Sequence, residues 1–506
     1  MIARSGRMLA RAIAVAAVLV LFAPSTSAFA AGPTILGAGS TWSQIAIDQW
    51  RYDVVSKGLS VNYQGVGSTQ GRQFFQAGTV DFAVSEIPFQ DGETVTRGFK
   101  YLPIVAGGTS MMYNLSTPSG QRIRNLRLSP ATIALIFTGK ITNWSDRRIR
   151  ADYGGQLPNV PIKVIVRSDG SGTSAQFSAY LSAVEHSAWA AFTSKCHIPA
   201  TYTSFWPYGP GCLDNGVGQR GSDGVANYIA NPGLGVGAIG YVEAGYAIAR
   251  QFPVVAVKNA SGVFTLPTAH NVATALQHAH LNLDSTQQLG DVYTAPEKTA
   301  YPISSYSYMI VPTDSSISTD KGNVLGQFII YFACAGQQAA ERLGYSPMPK
   351  ELVQFAFDAE KQIPGAPNPP PITPAACPNP TIDGSFYRES GNNGIVGSDV
   401  QPTVPNPPPA STTGTGTGTG TGSGTGTGTG TGAGPSGSGS GPTVAPTGSA
   451  SLTPTLSRKA LKISKDLADE RIAALASPSP SPLLIIAAIA LVAIFGPILL
   501  RRRSRN

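Results

Sequence analysis

Charged residues are scarce in this chain of 506 residues, because Asp, Glu, Lys and Arg together make up only 13% of it. The formal net charge is nevertheless +8, with three arginines among the first 11 residues and four among the last six. Neither end contains an acidic residue, so removing these seven charges leaves +1 for the rest of the chain. A nucleic-acid-binding surface needs basic residues on the folded body. The charge distribution therefore argues against nucleic-acid binding and indicates topology signals at the two ends.

Cysteine is also rare, and none of the four cysteines belongs to a C-x-x-C motif or to a Cys/His cluster with zinc spacing. No metal or other cofactor is therefore expected. In an exported protein the cysteines face an oxidising compartment, and four of them allow three disulfide pairings. We favour the pairs Cys196–Cys212 and Cys334–Cys377, because the members of each pair are nearer in sequence.

The motifs of nucleotide binding and hydrolysis are missing from the glycine-rich loops of the body. No such loop continues into the Gly-Lys-Ser/Thr of a P-loop, and none has the strand-linked G-x-G-x-x-G of dinucleotide sites. Gly170-Ser171-Gly172 does not fit the G-x-S-x-G turn of a hydrolase nucleophile. We therefore expect a protein without catalytic activity.

Long apolar runs are confined to the two ends of the chain. Residues 1–30 have the basic start, the apolar run Ala12–Phe22 and the small-residue cleavage site of a signal peptide. The run Leu483–Leu500 is just long enough to cross a bilayer, and the basic tail 501–506 that follows predicts a cytoplasmic C-terminus. The predicted topology is a single membrane span with the body outside the cell. Anchoring by such a span, with no cysteine for lipid attachment near the cleavage site, suggests a Gram-positive envelope.

The chain before the predicted span changes its composition abruptly near residue 365. Residues 366–482 are rich in Pro, Gly, Ser and Thr and contain a long Gly-Thr alternation. Such a segment cannot bury enough apolar surface to offset the entropy of ordering it, so we expect a linker. Residues 31–365 carry nearly all of the aromatic and mixed apolar patterning and are expected to form the folded body.

Within the body, short apolar runs alternate with helical patterns, which is typical of an α/β fold with a mostly parallel sheet. The predicted strands are Val61–Tyr63, Phe82–Val84, Tyr101–Val105 and Val160–Val166. The predicted helices are Gln70–Gln76, Pro130–Thr138, Ser174–Leu181 and Val225–Ala230.

Four loops of the body carry Ser or Thr close to a transition from strand to helix, and three of the four also carry Gly. Glycines let a ligand approach the backbone, and hydroxyl groups, backbone N–H groups and the start of a helix together favour an anion. Each loop alone is weak evidence, since Gly-Ser turns are usually only turns or helix caps. The four loops are Gly37–Trp42, Gly65–Thr69, Val84–Glu86 and Arg167–Thr173.

As an ordered set, these loops resemble the periplasmic phosphate-binding proteins of ABC importers. The resemblance also includes the flanking residues 61–64 and 80–83 and the stretches 221–225 and 237–243, and it covers roughly Pro33 to Pro364. It implies two α/β lobes joined by two crossing strands, with lobe one at about 33–108 and 303–364 and lobe two at about 109–302. It also implies a monomer that binds inorganic phosphate and delivers it to a permease and an ATPase encoded as separate chains.

The resemblance also implies roles for individual residues of the anion site. Arg167 would clamp phosphate and Asp169 would hold Arg167 in place, while Glu86 would accept a hydrogen bond from the protonated anion. The remaining donors would be Thr41, Trp42, Ser68, Ser171, Gly172 and Thr173. The family usually has Asp at the position of Glu86 and Phe at that of Trp42.

A second function is compatible with the same residues. The long linker, the single span and the Glu86 change would also suit a membrane-tethered surface sensor or interaction protein that keeps the phosphate-binding fold without transport. The sequence alone leaves both functions open.

Overall fold

The computed structural model describes residues 32–388 and residue 395, all of which belong to one compact unit. The predicted signal peptide, the span Leu483–Leu500, the basic tail and most of the predicted linker lie outside the described residues. Within residues 32–388, every helix is too short or too polar to cross a bilayer.

Strands and helices alternate along the described chain, as the sequence pattern predicts. The strands are β1 Ile35–Gly39, β2 Val61–Gly65, β3 Phe82–Ser85, β4 Phe99–Tyr113, β5 Arg127–Leu128, β6 Lys163–Arg167, β7 Gly216–Gln219, β8 Ala238–Glu243, β9 Ala256–Lys258, β10 Phe264–Thr265, β11 His280–Leu281, β12 Gln287–Gln288, β13 Ser304–Pro312 and β14 Tyr345–Ser346. The α-helices are α1 Gln44–Asp53, α2 Ser68–Gln76, α3 Pro130–Phe137, α4 Arg147–Tyr153, α5 Gly172–Val184, α6 His186–Lys195, α7 Gly221–Ala230, α8 Ala244–Arg250, α9 Ala269–Leu276, α10 Gly290–Tyr293, α11 Thr319–Ala333 and α12 Lys350–Glu360.

The predicted elements are present, but three helices begin earlier than the sequence pattern indicates. Helices α2, α5 and α7 start at Ser68, Gly172 and Gly221, two to four residues before the predicted starts. The residues missed at these starts are mostly Gly, Ser and Thr, which have weak helix propensity and no apolar periodicity. The start of α3 is easier to predict from the sequence, because Ser129 caps the helix and Pro130 occupies its first position.

The main sheet runs through both lobes in the order β2-β1-β3-β13-β4-β8-β6-β7, with β14 pairing β4 at one side. Strand β1 is parallel to β2 and β3, and β6 is parallel to β7 and β8. Strands β13 and β4 run antiparallel to their neighbours. The sheet is therefore mixed, with a parallel set at each end and two antiparallel strands between the sets.

The two central strands connect the lobes. Strand β4 pairs with β13 from Phe99 to Gly108 and with β8 from Thr109 to Tyr113, so this one strand passes from the first lobe into the second. The chain returns along β13, whose residues are all buried. The loops after β1, β2 and β3 in one lobe therefore face those after β6 and β7 in the other.

The packed body continues past residue 365, where the sequence analysis expects the linker to begin. Residues 366–388, here called the C-terminal strap, are held by the disulfide Cys334–Cys377 and by the buried amide of Asn379, which donates to two backbone carbonyls. The ring of Phe386 stacks on His270 with centroids 4.3 Å apart. These few anchors are spaced among prolines and polar residues, so composition alone conceals them.

Both disulfides favoured from sequence spacing are formed. Cys196 pairs with Cys212 and closes a loop in the second lobe. Cys334 pairs with Cys377 and joins the end of α11 to the C-terminal strap. The described part of the chain has no free cysteine.

Candidate functional site

Glu86 lies at the centre of the first-lobe half of the site, in the loop that follows β3, and its side chain is only 1% exposed. Its Oε1 accepts hydrogen bonds from the hydroxyls of Ser40 and Ser307, the latter at 2.9 Å. Its Oε2 accepts one from the hydroxyl of Ser68 at 2.7 Å. A buried carboxylate needs such compensation, and here three serines provide it.

Arg167 and Asp169 form the charged centre of the second-lobe half. Arg167 ends β6, and its Nε and NH2 groups donate to the two carboxylate oxygens of Asp169. Burial lowers the pKa of Arg167, but the hydrogen bond and charge of Asp169 outweigh burial and raise it. Burial raises the pKa of Asp169, and Arg167 outweighs burial in turn and lowers it. Arg167 and Asp169 therefore both stay ionised. The NH1 group of Arg167 contacts the hydroxyl of Ser222 at 3.4 Å.

The N-terminus of α5 supplies neutral donors next to Arg167. Ser171 caps the helix by accepting from the N–H of Ser174 at 3.1 Å, and the N–H of Gly172 donates to the hydroxyl of Ser68 at 3.1 Å. The Thr173 hydroxyl is buried and has no hydrogen-bond partner among the described residues. The helix dipole adds positive potential at this point.

Gly172 is required by the close approach of the two lobes. A Cβ atom at this position would lie 2.2 Å from Oε2 of Glu86 and 2.7 Å from Oγ of Ser68. Any side chain here would push the lobes apart or displace the Glu86 carboxylate. The position therefore needs glycine for space.

The lobes are closed onto each other in this structure. Thr41 accepts a hydrogen bond from the N–H of Ser222 at 3.0 Å, which joins the first lobe to the start of α7. The N–H of Thr69 donates to the carbonyl of Gly170 at 3.2 Å. The loops of the two lobes are consequently in direct contact at this point.

The structure brings together the residues that the sequence analysis nominated, with one difference in orientation. Trp42 lies in the loop, and its N–H donates to Ser40 at 3.0 Å. Its ring, however, packs into the core against Tyr345, with centroids 5.6 Å apart. Only the backbone of Trp42 borders the site. The other nominated positions lie in the facing loops of the two lobes and are Thr41, Ser68, Glu86, Arg167, Asp169, Ser171, Gly172 and Thr173.

The sequence analysis did not nominate three serines that contact these residues. Ser40 lies inside a loop that was singled out, and Ser222 lies inside the stretch 221–225 that contributes to the resemblance. Ser307 lies on β13, far along the chain from any glycine-rich loop, and no sequence pattern points to it. All three are fully or almost fully buried.

The arrangement is suited to a small, partly protonated oxyanion. An ionised guanidinium group, hydroxyl and backbone N–H donors and the start of a helix all favour a negatively charged ligand. The one carboxylate can accept a hydrogen bond from an anion that still carries a proton. Residues 32–388 contain no cluster of three or more His, Cys, Asp or Glu side chains arranged to hold a metal ion.

A family model and individual relatives of this chain point to the same family. Residues 23–335 match the PBP superfamily domain. The phosphate-binding protein PstS of Xylella fastidiosa is 33% identical over 323 residues, which is 63% of this chain and 83% of the relative. That of Pasteurella multocida is 31% identical over 355 residues, which is 69% of this chain and 94% of the relative.

Solved structures share the fold at lower sequence identity. An ancestral soluble variant of the human phosphate binding protein is 19% identical with a TM-score of 0.50, and the match covers 67% of this chain and all of that one. A high affinity periplasmic phosphate-binding protein solved with bound phosphate is 20% identical with the same TM-score, and the match covers 64% of this chain and 93% of that one.

Proposed function

The chain belongs to the PstS-like phosphate-binding proteins of the PBP superfamily, and we propose that it captures inorganic phosphate outside the cell and delivers it to an ABC-type importer. Its named relatives support the ligand and the transport system. The observation that carries the proposal is the convergence of Arg167, the start of α5 and the buried Glu86 from two facing lobes. The role is binding and delivery, without a chemical step.

Phosphate would be held by donors from both lobes. Arg167 would contribute its remaining guanidinium N–H groups, and Ser171, Gly172 and Thr173 would contribute donors at the start of α5. From the first lobe, Thr41, Ser68 and the backbone N–H of Trp42 would reach the other side of the anion. Because each lobe holds only part of the set, lobe closure completes the site and creates the shape that a permease recognises.

Glu86 would provide the selectivity of the site. Phosphate near neutral pH still carries a proton and can donate a hydrogen bond to this carboxylate. Sulfate carries none, so its oxygens would face the carboxylate lone pairs with no bond between them. Sites that leave a buried polar group unpaired in this way reject the wrong ligand by about 10⁴–10⁵-fold.

The ends of the chain would place the binding body outside the membrane. Residues 1–30 would direct export, and the span Leu483–Leu500 would tether the body through the linker. A tether of this length keeps the protein close to a permease in the same membrane and raises its effective concentration there. The permease and the ATPase would be separate chains.

The proposal is tested by titration calorimetry of the full chain in detergent micelles, first with phosphate and then with sulfate. We expect one phosphate per chain and sulfate binding weaker by several orders of magnitude. The absence of phosphate binding would contradict the proposed ligand. Delivery is tested separately by measuring phosphate uptake into cells that lack this chain. Unchanged uptake would show that the protein binds phosphate but does not serve its transport.

A further inference from the structure

The two carboxylate oxygens of Glu86 have different surroundings. Oε1 accepts hydrogen bonds from Ser40 and Ser307, both on the first-lobe and hinge side. Within the described part of the chain, Oε2 accepts only from Ser68, whose Oγ in turn accepts from the N–H of Gly172 in the second lobe. One oxygen is therefore held by the scaffold, and the other lies where the lobes meet.

The direction of these hydrogen bonds follows from the chemistry of the groups. The hydroxyl of Ser307 donates to Oε1 of Glu86 at 2.9 Å, and the carboxylate oxygen accepts. The hydroxyl of Ser307 is also oriented to donate to that of Ser43 at 3.1 Å, but it has a single proton, and the carboxylate is the stronger acceptor. This contact is shielded from solvent, because Ser43, Ser307 and Glu86 are all buried.

Glutamate needs this support more than aspartate would. Its extra methylene adds one rotatable bond, so its carboxylate can occupy more positions, and holding it in one position costs conformational entropy. Two hydrogen bonds on Oε1 fix the plane and direction of the carboxylate. They also leave Oε2 pointing toward Ser68 and the start of α5.

The backbone at Ser307 is irregular in a way that concerns this contact. Ser307 pairs with Val105 of β4, but the next residue, Tyr308, pairs with Pro103, so Ile104 is left out of the register. Such bulges increase local twist and redirect side chains, and they are frequent beside functional sites. Here the irregularity lies in the strand pair that joins the lobes.

We propose that Ser307 is a positioning residue that holds Oε1 of Glu86, so that Oε2 is aimed to accept the proton of a protonated oxyanion. This inference rests on the proposed phosphate site and adds a selectivity determinant from the hinge strand. On binding, the anion O–H replaces the Ser68 hydroxyl at Oε2, and the Ser68 hydroxyl turns to a phosphate oxygen. Ser307 keeps its bond to Oε1 throughout.

Ser307→Ala tests this inference, with Ser305→Ala as a matched control. Ser305 lies on the same strand and is also buried, but its hydroxyl has no hydrogen-bond partner among the described residues. Phosphate and sulfate affinities of the full chain are measured by calorimetry for the wild type and both variants, with thermal unfolding to confirm folding.

We expect Ser307→Ala to weaken phosphate binding about tenfold, the effect of one hydrogen bond to a charged group, and to leave sulfate affinity unchanged. The selectivity ratio would fall by the same factor, whereas general damage would weaken both anions together. Ser305→Ala should preserve both affinities. If the wild type binds phosphate and Ser307→Ala keeps the wild-type ratio, the inference is wrong. If the wild type does not bind phosphate, the proposed function itself fails.

Discussion

Nε of Arg167 lies 2.7 Å from Oδ1 of Asp169, and the neighbouring NH2 group contacts Oδ2, so the guanidinium group is held along one edge by a single carboxylate. Asp169 also accepts the N–H of Gly221 at 3.0 Å, which fixes it to the start of α7. A guanidinium group anchored on one edge keeps its other N–H donors available in a fixed plane. The pair therefore fixes the orientation of Arg167, whose NH1 group contacts Ser222 at 3.4 Å.

Replacing Arg167 with alanine should reduce phosphate affinity by about 100-fold or more, because two hydrogen bonds between charged groups are lost. The change is measured by calorimetry. Arg148→Ala is a matched control, since Arg148 forms the same two-point contact with Asp146 on an exposed helix. Equal affinity of the Arg167 variant and the wild type would remove Arg167 from the site.

Trp42→Phe should leave phosphate affinity within about threefold of the wild type, because only the backbone of residue 42 borders the site. The indole N–H is buried without a hydrogen-bond partner among the described residues, so losing it removes an unfavourable group. The smaller ring also leaves a cavity beside Gly107, which opposes that gain. A large loss of affinity with normal thermal stability would show that the indole itself contributes to binding.

Glu360 should make the folded state less stable as the pH rises. Burial raises the pKa of Glu360 to about 7, whereas the ordinary value is 4.5. The folded chain therefore holds this proton more tightly than the unfolded chain, so the stability is fully present below pH 4.5 and is lost as the pH rises through about 7.

Glu360→Gln tests this dependence by denaturant unfolding at pH 4 and at pH 8. The variant should match the wild type at pH 4 and exceed its stability at pH 8 by on the order of 2 kcal/mol. Glu351→Gln, on the exposed face of the same helix, is the control and should show no such difference between the two pH values. An unchanged pH profile in Glu360→Gln would contradict the assignment.

Removing the disulfide of the C-terminal strap should destabilise the body more than removing the other disulfide. The sequence separation is 43 residues for Cys334–Cys377 and 16 for Cys196–Cys212. The loop-entropy relation then gives about 4 and about 3 kcal/mol for replacing each pair with serine. Denaturant unfolding measures both. If residues beyond 365 behaved as a free linker, loss of Cys334–Cys377 would have almost no effect.

The sequence predicts most of the candidate binding loops because their chemistry is local. A strand that ends in Gly and Ser or Thr and leads into a helix is recognisable without knowing its neighbours, and Arg167 and Asp169 are only two positions apart. The helix starts are less predictable, because Gly, Ser and Thr give no periodic signal. Composition also places the linker boundary too early, since Cys377, Asn379 and Phe386 are isolated anchors in a Pro-rich segment.

The sequence by itself determined the α/β alternation, the donor-rich loops, the favoured disulfides and the family, since each depends on residues that are close in the chain or on an ordered set of motifs. Only the tertiary structure decided that Ser222 meets Thr41 and that Ser307 holds Glu86. These partners are 181 and 221 residues apart. The physical reason is that such contacts depend on how the strands that join the lobes bring distant segments together, and a serine in a buried strand has no local pattern that reveals its partner.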